Sequence, residues 1–373
     1  MLARFAQFSM NLLLFNLVTD ADDTVLGFTT DWLNTLSRYF SNIYVITMRS
    51  GRLKLPGNVS VYSVGKECGW SRPRRAVEFY RCLARILKRN RIDVCFAHMI
   101  PVFAVLAAPV LKANRIPIVL WYAHPTLNAI LRVAHWFSTK VITSIDFAYP
   151  YKQDKVVTIG QGIDTDFFTP CADHIDLSGP RLIVAVGRIS RVKQLDILLD
   201  VARLLNERNA GSIRFVLIGG PSTAADADYL KRLQKTVRSR NLGEVVQFAG
   251  AKQRQELPEW YRSATALVNL TGRGCGDKVV FEAMSCGIPV VVANEGFRTT
   301  LGVYADRFVL PDVLPATIAS VIESICTLSK EERRNVGRYM RAQVMTWHSL
   351  EGLAGKLHSL CKDILITSHD GTV

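Results

Sequence analysis

Apolar runs of strand length recur along this chain, and segments with helical spacing lie between them. In the first half the runs fall at residues 11–18, 43–48, 59–64, 93–97, 118–122, 141–144 and 156–159. Helix-period segments occupy 27–39, 73–90, 102–113 and 126–137. The second half repeats the rhythm, with strands at 182–187, 213–218, 245–248 and 266–270 and helices at 228–240, 257–264, 316–327, 330–345 and 347–364. A further helix carries Leu195, Leu198, Leu199, Ala202 and Leu205 on one face. Strands nearly free of charge, alternating with helices, imply parallel sheets covered on both faces. Such sheets bind ligands beyond the carboxyl ends of their strands. At 373 residues, two domains are the default expectation.

The most informative stretch runs from residue 266 to 294. It reads as a buried strand (ALVNL), a glycine-rich turn (TGRGCGD), a short helix (KVVFEAMSCG) and a second buried strand (IPVVVAN). Asp277 stands where an N-cap carboxylate would accept first-turn amides, and Gly287 with Pro289 marks the helix end. Gly272, Gly274 and Gly276 let the backbone approach a ligand and point its amides at an anion. With Asp277, Lys278 and Val279 they outline a phosphate site. Glu282, five residues after the cap, can accept two hydrogen bonds from neighbouring hydroxyls such as those of a ribose. Upstream, Arg188 and Lys193 sit between a buried strand and the opening of a helix. Cations there oppose the helix dipole unless an anion joins them, and a diphosphate would reconcile them.

These residues carry a resemblance. VFEAMSCGIPVV is similar to the signature helix of the retaining GT-B glycosyltransferases of family 4, roughly LLEAMACG-PVV, at Glu282, Ala283, Met284, Cys286, Gly287 and Pro289. Gly187, Arg188, Ser190 and Lys193 match the family's G-R-x-S-x-x-K pattern. Residues 156–170 resemble its interdomain segment, with Gly162, Ile163 and Asp164 at the core. One departure stands out: the family usually has a second glutamate where this chain has Gly274, and the Asp277-Lys278 pair resembles a subset lacking it. The likeness spans roughly residues 10–365 and is strongest over 156–294.

The resemblance implies an α/β GT-B fold, two Rossmann-like domains with parallel sheets facing across a cleft. Residues 1–165 would bind the acceptor, residues 166–346 the nucleotide sugar, and a final helix within 347–373 would return to the first domain. It further implies transfer, with retention and without a metal or other cofactor, from a UDP-, GDP- or ADP-sugar to a glycan or lipid-linked acceptor, as in cell-surface polysaccharide or glycolipid biosynthesis. Gly187, Arg188, Lys193, Gly276, Asp277, Lys278, Val279 and Glu282 would hold the donor. Arg188 and Lys193 would also act catalytically on the departing diphosphate. His124, in WYAH after a buried strand, would reach the sugar; His98, in CFAH, matches a weaker family histidine and is assigned to the acceptor. Either histidine taken alone is equally an ordinary structural hydrogen-bonder. Asp22 and Asp23, in an acidic loop at the same sheet edge, are the other candidate acceptor contacts, with a solvated turn as the alternative. The same architecture would also suit a sugar-nucleotide epimerase or a noncatalytic partner protein.

Composition adds a partner. Hydrophobic residues make up 49% and charged ones 21%, as in a globular protein, and the net charge of +14 calls for an anion: nucleic acid, an anionic bilayer or a phosphorylated small molecule. The basic residues concentrate between positions 66 and 91, where Arg74, Arg75, Arg81, Arg85, Lys88 and Arg89 accompany an apolar stripe of Val77, Leu83, Ala84 and Leu87. We expect this helix to face an anionic membrane; no aromatic-basic motif supports nucleic acid. Eight scattered cysteines without a CxxC pair are expected to be buried thiols in a reducing compartment, hence a cytoplasmic protein, peripheral on the inner membrane. The apolar run at 9–18 lacks a small-residue cleavage site and leads into Asp20, Asp22 and Asp23, so it is expected to be a strand, not a signal sequence. Pro101, Pro109 and His98 argue against a membrane span over 94–111.

Overall fold

The apolar runs form two parallel sheets, one in each of two compact units: residues 1–162 with 350–373, and residues 163–349. The computed structural model describes residues 9–23, 26–151, 154–171, 179–209, 212–272 and 276–370.

In the first unit the chain runs β1 (Asn11–Thr19), α1 (Phe28–Leu36), β2 (Asn42–Ser50), β3 (Val59–Ser63), α2 (Arg72–Arg89), β4 (Val94–His98), α3 (Pro101–Ala113), β5 (Ile118–Trp121), α4 (Ala129–Phe137), β6 (Lys140–Thr143) and β7 (Val156–Thr158). The seven strands lie in the order β3-β2-β1-β4-β5-β6-β7. Alternate side chains along each strand feed opposite faces. Leu13, Phe15, Cys95 and Leu120 join Phe79, Leu83, Phe103 and Leu131 from α2, α3 and α4 in one core. Leu12, Leu14, Val94 and Val119 face the other way.

The second unit contains β8 (Arg181–Val186), α5 (Leu195–Asn209), β9 (Ile213–Ile218), α6 (Ala224–Ser239), β10 (Val246–Gly250), α7 (Leu257–Ser263), β11 (Ala266–Asn269), α8 (Lys278–Ser285) and β12 (Val290–Val292). Two single turns, α9 (Arg298–Leu301) and α10 (Ala305–Phe308), precede α11 (Pro315–Cys326) and α12 (Lys330–Gln343). Its strand order is β10-β9-β8-β11-β12. After a π turn at Val344–His348, α13 (Leu350–Asp370) packs in the first unit, where Leu353, Leu357 and Cys361 meet Trp32, Leu33 and Leu36 and Glu351 pairs with Arg38 at 2.6 Å.

Several expected boundaries move. The fourth helix starts at Ala129, not 126, because the Asn128 side chain caps it by accepting from the Leu131 amide at 2.8 Å. The last helix starts at Leu350, not 347, since the π turn consumes Trp347 and His348. On α2 the buried stripe is Phe79, Cys82, Leu83 and Ile86, whereas Val77 is 52% exposed. Not every thiol is buried: Cys68 and Cys171 are exposed. Among the described residues no helix is long and apolar enough to cross a membrane.

Candidate active site

In each sheet the first strand is flanked by strands whose connections run in opposite directions, which opens a crevice beyond their carboxyl ends. In the second unit that point lies between β8 and β11. Both segments singled out in the sequence end there: Gly187 to Lys193 follows β8, and the turn leading to Asp277 follows β11.

Gly187 (φ +131°) leaves β8 in a conformation that favours glycine, and a side chain there would stand 3.4 Å from Lys193 Cε. Gly219 (φ +145°), at the end of the neighbouring β9, fixes the turn from below, because a Cβ on it would fall 1.9 Å from the Gly187 carbonyl oxygen. The Ile189 amide donates to Gly220 O at 3.0 Å and completes the cradle. Gly219→Ala is therefore expected to lower unfolding free energy by on the order of 2 kcal/mol, read as a shifted denaturant midpoint, and to displace the Gly187 turn.

Gly187, Arg188, Lys193, Asn269 and Leu270 line a small hollow beyond these strand ends. Arg188 is exposed and makes no ion pair among the described residues. Lys193 Nζ lies 2.6 Å from Asp277 Oδ2, both side chains being about four-fifths buried, and Asn269 Nδ2 donates to the same oxygen at 2.9 Å. This corrects the expected N-cap. Asp277 has the extended backbone of a cap residue, but its carboxylate makes no capping bond and holds Lys193 instead. Attraction to a mostly buried ammonium exceeds that to a neutral amide, so the first-turn amides of α8 at Lys278 and Val279 are not capped by Asp277. An ammonium has three N–H donors, so Asp277 occupies one and leaves Lys193 able to serve an anion. Ser190 and Thr271, flanking these residues in the chain, each bury a hydroxyl with no partner among the described residues.

Glu282 stands one turn further along α8 and is not among the residues lining the hollow. Tyr261 donates to its Oε2 at 2.8 Å. Burial pushes the Glu282 carboxyl above its ordinary range, against the opposing pull of the Tyr261 hydrogen bond and of the Lys278 and Arg254 charges. Arg254 itself stacks 4.3 Å from the Phe167 ring centroid. Gly276, Lys278 and Val279 are half-buried around the start of α8; Gly274 lies outside the described residues.

In the first unit, two of the expected acceptor contacts are already engaged. Arg52 holds Asp22, with Nε 2.6 Å from Oδ2, and that hydrogen bond keeps the Asp22 carboxyl below its usual range. Asp23 pairs with Arg49 and accepts from the Leu26 amide at 2.6 Å. The acidic loop is thus tied by two arginines from β2 and the turn after it. His98 is 6% exposed and packs against Trp32 at 4.7 Å between ring centroids, with Phe28 and Trp121 near 6 Å. The imidazole assigned to the acceptor thus lies almost enclosed by aromatic rings. His124 is exposed, and its Nδ1 accepts from the Thr126 amide at 3.1 Å. With Nδ1 accepting, Nε2 is the ring nitrogen left to donate.

Asn269, Tyr261 and Gly219 escaped the sequence reading. The signal for Asn269 was present, since a lone amide at the end of a buried strand needs a partner. Tyr261 and Gly219 offer no such local cue: the first matters only through α8, the second only through the backbone of β8.

Two parallel-sheet units of this topology define the GT-B class of fold. Sucrose-phosphate synthase from Thermosynechococcus elongatus superposes with a TM-score of 0.74 at 16% identity, over 96% of this chain and 100% of that one. Anabaena HepE, solved with UDP and glucose, gives 0.72 at 16% identity, over 95% and 99%. The family model for glycosyl transferases group 1 matches residues 173–343, nearly the whole second unit. By sequence, the D-inositol 3-phosphate glycosyltransferase of Jonesia denitrificans is 30% identical over 213 residues, 53% of this chain and 50% of the relative. That of Frankia alni is 28% identical over 188 residues, 48% of this chain and 46% of the relative. The matched stretch thus spans about half the length of these curated relatives.

Proposed function

We propose that this chain is a retaining, metal-independent glycosyltransferase that takes its sugar from a nucleoside-diphosphate sugar bound to the second unit. The observation that carries the reading is the convergence of Gly187, Arg188 and Lys193 with the β11–α8 turn at the strand-order reversal. The UDP complex of HepE and the group 1 match over the same unit support it. In this reading Arg188 grips the diphosphate with paired donors, Lys193 adds a point charge, and the first-turn amides of α8 complete the anion site. Glu282 takes a ribose hydroxyl on the oxygen that Tyr261 leaves. His124 is the residue proposed to donate to the transferred sugar. Negative charge grows on the leaving diphosphate as the glycosidic bond breaks, so cations fixed beforehand lower that barrier without reorganising. The acceptor is proposed to be a glycan or a lipid-linked glycan, and the protein to work at a cytoplasmic membrane face.

A thermal-shift panel of UDP, GDP and ADP tests the donor half. One nucleotide at about a hundred times its Kd should stabilise the protein by about 2.7 kcal/mol and raise the midpoint. If none of the three moves it, the reading fails. Incubation with the matching labelled sugar nucleotide should then give transfer or slow hydrolysis in the presence of EDTA; an epimer, or no turnover, would favour the two alternatives.

A further inference from the structure

Helices α2, α3 and α4 cover one face of the first sheet and share its core. Tyr80 of α2 donates to the Leu106 carbonyl of α3 at 3.0 Å, so the outer surfaces of the helices adjoin. The outer surface of α4 is unlike that of an ordinary covering helix. Ile130, Val133 and Trp136 recur there every three residues and are 49%, 41% and 70% exposed, and Leu127, just before the helix, is 41% exposed. The inner face of the same helix, Leu131 and Ala134, is fully buried. Cations border the ridge: Arg132 on α4 itself, and Lys112, whose Nζ lies 4.9 Å from the Trp136 ring centroid and 5.0 Å from that of Phe137. Beyond α3, α2 turns Arg81, Arg85, Lys88 and Arg89 outward. Arg74 stacks on Trp70 at 4.0 Å, and Arg75 is half-buried with Nη1 3.2 Å from Met48 Sδ, so Arg75 is removed from the expected basic face.

We propose that the α4 ridge inserts into the interfacial layer of an anionic bilayer, while the basic surface of α2 lies against the headgroups. A helix with an aliphatic and tryptophan ridge beside a basic flank has the composition of an interfacial anchor. Lysine over an exposed indole lets its stem follow the apolar phase while its ammonium stays at the phosphates. A second copy of this chain is the poorer occupant: a two-fold contact through the ridge would set Lys112 and Arg132 of both copies together. The proposal stands independently of the transferase reading, and it moves the membrane contact from the basic helix alone to an apolar ridge beside it.

Sedimentation with vesicles tests it, using phosphatidylcholine alone and phosphatidylcholine with about one-third phosphatidylglycerol. The intact protein should sediment with the anionic vesicles only, and less so in about 0.5 M salt. The triple variant I130S/V133S/W136S should keep its thermal midpoint and lose about tenfold or more of its vesicle affinity. Bromine on the lipid acyl chains should quench tryptophan fluorescence in the parent and fail to do so in W136F. Equal sedimentation with neutral vesicles, or a triple variant that sediments like the parent, would overturn the proposal. So would a lipid-free dimer that the triple variant converts to monomer, which would assign the ridge to a second copy.

Discussion

Alanine at position 188 is expected to lower sugar transfer by about two to three orders of magnitude, the loss typical when one fixed donor facing a developing anion is removed. Arg188 follows β8 on a glycine turn, is exposed, and makes no ion pair among the described residues. Its removal therefore leaves no buried group unsatisfied, and the thermal midpoint of Arg188→Ala should match the parent's. Arg188→Lys should recover only part of the rate, because an ammonium supplies charge without the planar pair of donors. Lys193→Ala makes an instructive contrast. Its ammonium is mostly buried against Asp277, so the variant strands a carboxylate with Asn269 as its remaining partner and should lose stability as well as turnover. Steady-state rates with the donor identified in the nucleotide panel, read beside melting curves, separate the two effects. Undiminished turnover in Arg188→Ala would remove the main support for the donor site.

The fold was legible because a parallel sheet buries both faces of its strands, so that each strand reads as an apolar run that needs no knowledge of its neighbours. The region from Gly187 to Lys193 and the β11–α8 stretch were legible for a related reason: glycines and cations at strand ends are out of place unless backbone or ligand requires them. The errors share a cause. Local rules gave Asp277 to its own helix, whereas Lys193, 84 residues away, outbids the amides. The arginine partners of Asp22 and Asp23 were equally hidden from local rules, since Arg49 lies on another strand and Arg52 just after it. His98 at a strand end looked like a ligand, but the aromatic rings around it come from α1 and β5, which no spacing rule brings together. Sequence periodicity also placed Val77 inside and passed over the α4 ridge, since exposed apolar residues at helical spacing read as core until the opposite face is seen to be buried.

Glutamine at position 282 should separate stability from donor binding in opposite directions. The amide is nearly isosteric, and Tyr261 can still donate to its oxygen, so the packing of α8 is kept. The burial that pushes the Glu282 carboxyl up means that the folded chain holds this proton more tightly than the unfolded chain. As pH rises through the ordinary carboxyl range, the unfolded form ionises first and stability falls until the folded carboxyl also ionises; above that point the penalty is constant. Glutamine carries no such proton. The variant should therefore melt higher than the parent near pH 7, by roughly 2–4 °C per kcal/mol of relieved penalty, and the difference should close as the pH is lowered toward about 4. Nucleotide affinity should move the other way, because a charge-assisted hydrogen bond to a ribose hydroxyl becomes a neutral one, a loss of about tenfold or more. Calorimetric titration of the nucleotide into both proteins, with melting curves across that pH range, checks both halves. A variant that melts higher and binds as tightly as the parent would take Glu282 off the ribose and leave it as a packing residue of α8. One that melts lower at neutral pH would show that the Lys278 and Arg254 charges outweigh the burial.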